Sequence, residues 1–233
     1  MQDGTDSALK QIGHLERVTL GERVYSELRQ LLMAGKLVPG EKLSLRSVAE
    51  ALGVSMMPVR EAVARLVAEG ALVVLPNRAV SVPAMTQGKL RELMRIRIEI
   101  EGFAAQEAAS VCTATALRRI IELDDAFRAA VLAKSADVEE ALRINKEFHF
   151  AVYESTKLPI LVSIIESLWL KVGPVINFDL RASQRLATGG AERHHAALVA
   201  ALSARDGKAA RKALAGDIRS SSEFILATGR LPD

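Results

Sequence analysis

The stretch Leu43–Pro83 reads LSLRSVAEALGVSMMPVREAVARLVAEGALVVLPNRAVSVP, and its punctuation decides the fold. Leu45 to Leu52 has the pattern of one short helix. Gly53 then supplies a residue that takes a left-handed turn without steric cost. Ser55 has the side chain of a good N-cap for a second helix. Pro58 falls in that helix's first turn, where a missing N–H removes no intrahelical bond. Val59, Val63 and Leu66 share one face, and Gly70 stops the helix. Leu72–Leu75 and Ala79–Val82 flank Pro76-Asn77-Arg78, which predicts a small hairpin.

Helix, tight turn, helix and hairpin, in that order, predict a winged helix-turn-helix, a module that sets its second helix into the DNA major groove. Such a module needs a small residue where its helices approach, a turn that admits positive φ and an exposed polar start to the second helix. Ala49, Gly53 and Ser55 meet those needs in order. Arg46 lies near the start of the first helix and Arg60 one turn into the second. Each has the reach to contact a phosphate or to pair with guanine O6/N7. Asn77 and Arg78, at the hairpin tip, are placed for the neighbouring minor groove or backbone. Any one of these arginines reads equally well as a solvated surface residue; the ordered set argues for DNA. Met56 and Met57, at the tip of the second helix, offer no hydrogen bonds to base edges, only contact with thymine methyls.

Outward from this stretch the chain changes character. Residues 1–19 are polar and without period, and read as a tail. From Leu20, the positions Val24, Leu28, Leu31 and Leu32 have helical spacing, ended by Gly35. Pro83 to Thr86 forms a seam, and Thr86 is suited to cap a long helix to about Ser110. Further helices are predicted over 114–134, 137–155, 159 to about 178, 181–204 and 206–227. The expected organisation is therefore a tail (1–19), a winged helix-turn-helix (20–84) and an antiparallel all-helical bundle (85–233), mostly α throughout.

The totals agree with that division. The 233 residues leave room for two modest domains. Aromatics are only 4% of the chain, so the core must be built from Ala, Leu, Val and Ile, which favours helix on helix. The net charge is +3, too small to argue for DNA binding by itself, so that reading rests on where the arginines sit. Cys112 is the only cysteine, which excludes an internal disulfide. The start, MQDGTDSALKQ, has no apolar signal core, and no apolar run reads as long enough to cross a bilayer. A cytoplasmic protein without a membrane partner is expected.

The N-terminal half resembles the GntR superfamily of bacterial transcription regulators. The matching residues are Pro39-Gly40-Glu41-Lys42-Leu43-Ser44, Val48-Ala49, Leu52-Gly53-Val54-Ser55, Pro58-Val59-Arg60-Glu61-Ala62, Leu66, Glu69-Gly70 and Pro76-Asn77-Arg78. The resemblance implies DNA contacts from Arg46 and Arg60, with backbone contacts from Ser55 and the wing tip. Three positions depart from it. Met56-Met57 stands where the family has a basic or polar residue followed by Thr, Ala79 where it has Gly, and Leu45 where it often has an acid. These departures are expected to change the preferred DNA site, or weaken binding, more than the fold.

The helical half resembles the FCD effector domain that defines the FadR-type branch. The likeness lies in Arg95-Ile96-Arg97-Ile98-Glu99-Ile100-Glu101-Gly102-Phe103-Ala104-Ala105, Asn145-Lys146-Glu147-Phe148-His149, Leu168-Trp169, and His195 to Leu202 leading to Arg205-Asp206. With the N-terminal match, it covers about residues 20 to 228. Many FCD domains hold a divalent metal through an Asp-x3-His pair and two later histidines. Carried across, the ligands are Asn145, His149, His195 and Asp217, so two of the four differ. Residues at i and i+4 share a helix face, and imidazole with carboxylate suits a zinc- or nickel-like ion. The alternative is that these polar groups hold an organic effector without metal. By spacing alone, His149 reads as a core histidine satisfied by a hydrogen bond, and His194 as a solvent-facing neighbour of His195.

Arg97 has two readings. It pairs with Glu101 on its own helix, or it points into the bundle, where it needs an anion such as a bound carboxylate. The resemblance favours the second, giving Arg97, Asn145, His149 and His195 as the effector set for a small carboxylate. Trp169, Phe148 and Phe178 read as packing residues. The expected function is a ligand-responsive homodimer that binds a palindromic DNA operator. The alternatives are a DNA-binding dimer with a degenerate effector pocket and a metal-dependent enzyme. The helical half has no Gly-rich phosphate loop and no activated serine or cysteine, so a non-enzyme is expected.

Overall fold

The computed structural model describes residues 19–132, 138–180 and 190–233, and of residues 177–180 only the backbone. The tail expected before residue 19, the start of the helix expected from 181 and the Phe178 side chain lie outside the described residues.

The first helix, α1 (Leu20–Met33), begins where Thr19 Oγ1 accepts the Glu22 N–H at 3.1 Å. A two-residue strand, β1 (Lys42–Leu43), precedes α2 (Leu45–Leu52). Gly53 closes α2 in the left-handed region at φ 63°. There a side chain would be strained, so the glycine sets the turn. The next elements are α3 (Met56–Ala68), β2 (Val73–Val74) and β3 (Val80–Ser81). The sheet is antiparallel in the order β1-β3-β2, with Leu43 and Val74 both opposite Val80. Val24, Leu28, Leu32, Val59, Val63, Leu66, Leu72 and Val82 close the core beneath it.

Three details differ from the sequence reading. The hairpin arms shorten from four residues to two each. β1 was not foreseen, because two residues carry no period to detect. Ser55 stands at the N-cap position with extended backbone, but its hydroxyl caps nothing.

The second half holds six described helices: α4 (Gln87–Val111), α5 (Ala114–Leu132), α6 (Val138–Glu154), α7 (Pro159–Leu180), α8 (Gly190–Ser203) and α9 (Gly207–Ala227). Thr86 caps α4 by accepting the Lys89 N–H at 3.2 Å, and Asp206 caps α9 through the Ala209 N–H at 2.9 Å. Ala104, Ala105, Ala108 and Ala109 give α4 a small-residue stripe on which other helices, α9 above all, lie close. Phe127, Phe148, Tyr153, Ile165, Trp169, Leu198 and Leu214 fill the interior.

One expectation needs correcting. The window Pro159–Ile176 of α7, with mean hydropathy 1.6, is long and apolar enough to cross a membrane by length and composition. In the fold it is a bundle helix, with Ile165, Trp169, Leu170, Val172 and Val175 buried.

The two halves touch along α1 and α7. Gly173 lies so close to α1 that a Cβ there would stand 2.3 Å from the Leu32 carbonyl oxygen. Lys171 Nζ donates to the Glu69 carbonyl at 2.8 Å, and Arg29 pairs with Glu166 at 3.0 Å.

Candidate DNA interface and metal centre

The residues expected to meet DNA lie on one module. Arg46 is on α2, where its side chain is 85% exposed and paired with Glu50 at 2.9 Å. A phosphate would exchange that partner for a stronger one. Ser55, Met57 and Arg60 are exposed along the first turns of α3. Met57 is 65% exposed, whereas Met56 is partly buried against the core. The methionine pair therefore divides into one anchor and one probe. At the wing tip Asn77 Oδ1 accepts the Ala79 N–H at 3.1 Å, which holds a turn in which Arg78 takes φ 62°. A non-glycine residue is seldom left-handed, and such conformations persist where the surroundings fix them.

The bundle brings together the residues expected to bind metal. Asn145 and His149 come from α6, His195 from α8 and Asp217 from α9, and all four are buried. Donor atoms of His149, His195 and Asp217 all lie within 4.8 Å of one another. His149 Nε2 is 3.3 Å from Asp217 Oδ2. Burial pushes the His195 imidazole down to about 3, so near neutral pH the ring is uncharged, the form that ligates metal. Burial alone would raise the Asp217 carboxyl, but the adjoining His149 and His195 imidazoles hold it below the usual carboxylate range.

Both ring nitrogens of His195 are buried without a hydrogen-bond partner among the described residues. Buried polar atoms are rarely left so, and a cation held at the cluster would satisfy one of them. Two imidazoles and a carboxylate suit a divalent transition ion. Arg97, Asn145, His149, Trp169, Asp217 and Ser221 border a chamber of about 20 Å³. That is room for one ion or one water, not for an organic acid.

Arg97 pairs with Glu101 on its own helix, as the first reading has it, and does so inside the bundle. It is 4% exposed and borders the chamber, yet its Nε and Nη2 reach Glu101 at 2.5 and 3.1 Å. Glu101 is fully buried and also receives Tyr153 Oη at 2.6 Å and Trp169 Nε1 at 3.1 Å. Sequence reasoning missed Tyr153 and Asp124. Tyr153 had a signal, since it follows His149 by one turn. Asp124, 3.8 Å from His195 Nδ1, had none, because α5 carries no matching pattern.

A winged module ahead of an effector-type bundle defines a class, the DNA-binding transcription regulators. The description "Bacterial regulatory proteins, gntR family" matches residues 20–82, and "FCD domain" matches residues 92–220. The chain belongs to the gntR family and carries the FCD domain. It is 34% identical to the HTH-type transcriptional regulator McbR of Escherichia coli (strain K12), over 87% of this chain and 91% of that one. It is 26% identical to the HTH-type transcriptional repressor RspR of the same strain, over 88% and 89%. The solved structure of E. coli McbR/YncC superposes with TM-score 0.85 at 32% identity, covering 92% of this chain and 100% of that one. A putative GntR regulator from Rhodococcus sp. RHA1 shares the fold at TM-score 0.71 and 24% identity, over 89% and 97%. The curated relatives are named as transcriptional regulators.

Proposed function

We propose that this regulator is a homodimer that reads a two-fold DNA operator in the bacterial cytoplasm and is tuned by a metal-centred effector site. Residues 20–84 form the reader and 85–233 the sensing and dimerising bundle. Arg46, Arg60 and Arg78 neutralise phosphates or pair with guanine, Ser55 and Asn77 hold the backbone, and Met57 reads a thymine methyl with Met56 as its support. In the bundle His149, His195 and Asp217 hold a zinc- or nickel-like ion, with Asn145 as a neutral fourth donor. The ion supplies a Lewis-acid anchor for a small carboxylate, and Arg97 borders the space that the carboxylate enters.

The observation that carries the sensing role is the convergence of buried His149, His195 and Asp217, whose donor atoms lie within 4.8 Å of one another. The chamber beside them, at about 20 Å³, does not admit an organic acid as it stands. An effector must widen it, and so must favour a conformation in which α7, bearing Trp169 and Ile176 on the chamber and Gly173 on α1, sits differently. That is differential affinity between two states, which is what allostery requires. The same small volume also supports a second reading, in which the pocket is degenerate and the bundle only dimerises.

The test joins metal analysis, a thermal-shift screen of small carboxylates on zinc- and nickel-loaded protein, and footprinting on the organism's own promoter DNA. A protected two-fold sequence, bound metal and a carboxylate that shifts both melting and operator affinity are expected. Bound DNA with no carboxylate response would establish the degenerate reading instead. No protected sequence at low salt would overturn the operator role.

A further inference from the structure

The two ligand imidazoles have outer partners that dictate which nitrogen each can offer. Tyr153 Oη lies 2.6 Å from Glu101 Oε2, on a carboxylate that Arg97 and Trp169 also hold. An ionised carboxylate only accepts, so the tyrosine hydrogen is committed to Glu101. What Tyr153 has left for His149 Nδ1, 3.3 Å away, is a lone pair. His149 must then carry its proton on Nδ1. Its Nε2 lone pair faces Asp217 Oδ2 at 3.3 Å, acceptor against acceptor. Only a positive charge between them, a proton or a metal ion, makes that contact favourable.

His195 repeats the pattern with a different partner. Its Nδ1 is 3.8 Å from Asp124 Oδ1, and both atoms are buried and unpartnered among the described residues. Arg128 holds the other carboxylate oxygen of Asp124 at 2.9 Å, so Oδ1 is the one left to accept. Phe148 stacks on the His195 ring at 4.1 Å and 25°, and Phe127 lies against it at 4.8 Å, which fixes its plane. A slight approach of ring and carboxylate would satisfy two orphaned atoms at once and leave Nε2 for the cluster.

Resting on the metal reading above, we infer that Tyr153, backed by Glu101, and Asp124 are the outer-sphere partners of the site. They fix His149 and His195 as Nδ1–H tautomers, so that both rings present Nε2 to one divalent ion beside Asp217. Metal-ligating histidines characteristically donate their second N–H to such an oxygen, and that bond sets both ring orientation and ligand basicity. These are positioning residues, since neither touches the ion.

The test uses the full-length protein, titrated with Zn²⁺ against a chromophoric chelator. Tyr153→Phe and Asp124→Asn should each weaken Zn²⁺ binding by about 10- to 100-fold while the far-ultraviolet dichroism is retained. Unchanged affinity in a folded variant overturns the role of that residue. If a variant does not fold, the wild-type protein decides, through its ¹⁵N histidine spectra in the Zn²⁺-loaded state. Protonated Nδ1 with metal-bound Nε2 on both rings supports the inference, and metal on Nδ1 of either ring overturns it. Wild-type protein that takes up no Zn²⁺ would sink the metal reading itself. Spectra of the metal-free protein above the imidazole titration range then judge the tautomers alone, Nδ1–H supporting and Nε2–H overturning them.

Discussion

Arg97 is tolerable inside the bundle because its own helix carries its counter-charge. On a surface an i,i+4 pair of this kind adds only a few tenths of a kcal/mol. Here Arg97 is 4% exposed and Glu101 0%, and removing one partner strands a buried charge. Glu101→Gln should therefore cost about 3–5 kcal/mol in urea unfolding. Replacing both, Arg97→Met with Glu101→Leu, should recover most of that loss, and equal costs for the single and double changes would contradict this account. The i,i+4 spacing was legible in the sequence. The burial was not, because Tyr153 and Trp169, which help hold Glu101 inside, lie on other helices. A second residue-scale prediction concerns Tyr25, whose hydroxyl donates to Glu69 at 2.7 Å under the Arg65 guanidinium. Burial and that hydrogen bond push the hydroxyl above its ordinary value near 10. A raised tyrosine contributes stability that is present below the unfolded value and lost as pH rises beyond it. Urea midpoints should thus fall between about pH 9 and pH 11 in the wild type. Tyr25→Phe should lose about 1 kcal/mol near neutrality and show a flatter alkaline decline; a decline as steep as the wild type's would rule Tyr25 out as its source.

Among the elements, helix starts were the most legible features. Thr86 announces α4 through a side-chain oxygen that accepts a backbone N–H group, a local chemistry readable from a few residues, and Asp206 starts α9 in the same way. Ser55 follows the same rule and breaks it, leaving its hydroxyl uncommitted at the exposed start of the helix proposed to enter DNA. The role of α7 was not legible, because its apolar run describes its composition and not its neighbours. That helix lines the chamber with Trp169 and Ile176 and meets α1 at Gly173, where the facing atoms are the backbone of Leu32 and Met33. Backbone cannot yield as a flexible side chain can. Gly173→Ala should therefore cost about 1–3 kcal/mol as an overpacking defect. It should also separate the melting of the reader from that of the bundle in calorimetry, since the seam between them is what it breaks. A single, unshifted transition would show that the α1–α7 seam is not tight in solution.

At the scale of the whole molecule, a bulk charge of +3 is a weak electrostatic footprint, so the proposed operator role rests on a few placed arginines and on pairing of two readers. In the proposed dimer, linking two readers raises affinity beyond that of either alone. The bundle does expose large apolar side chains. Ile96 and Phe103 on α4 are 42% and 41% exposed, and Ile160 and Ile164 on α7 are 79% and 46% exposed. Ile96 and Leu168 border one cleft, so the two helices approach each other there. Exposed apolar side chains can mark interaction surfaces, and in the homodimer proposed above a second copy of the chain would supply the matching face under two-fold symmetry. Ile164→Glu would force an unpaired charge into that interface. Sedimentation should then show monomers at concentrations where the wild type is dimeric, with folding unchanged because the site faces outward. In fluorescence anisotropy the variant should bind a full operator no better than a half-site. The slope of log affinity against log salt should shrink by about 0.9 for each phosphate that the absent second reader no longer neutralises. A dimer that survives the substitution with its salt slope intact would place the pairing surface elsewhere on the bundle.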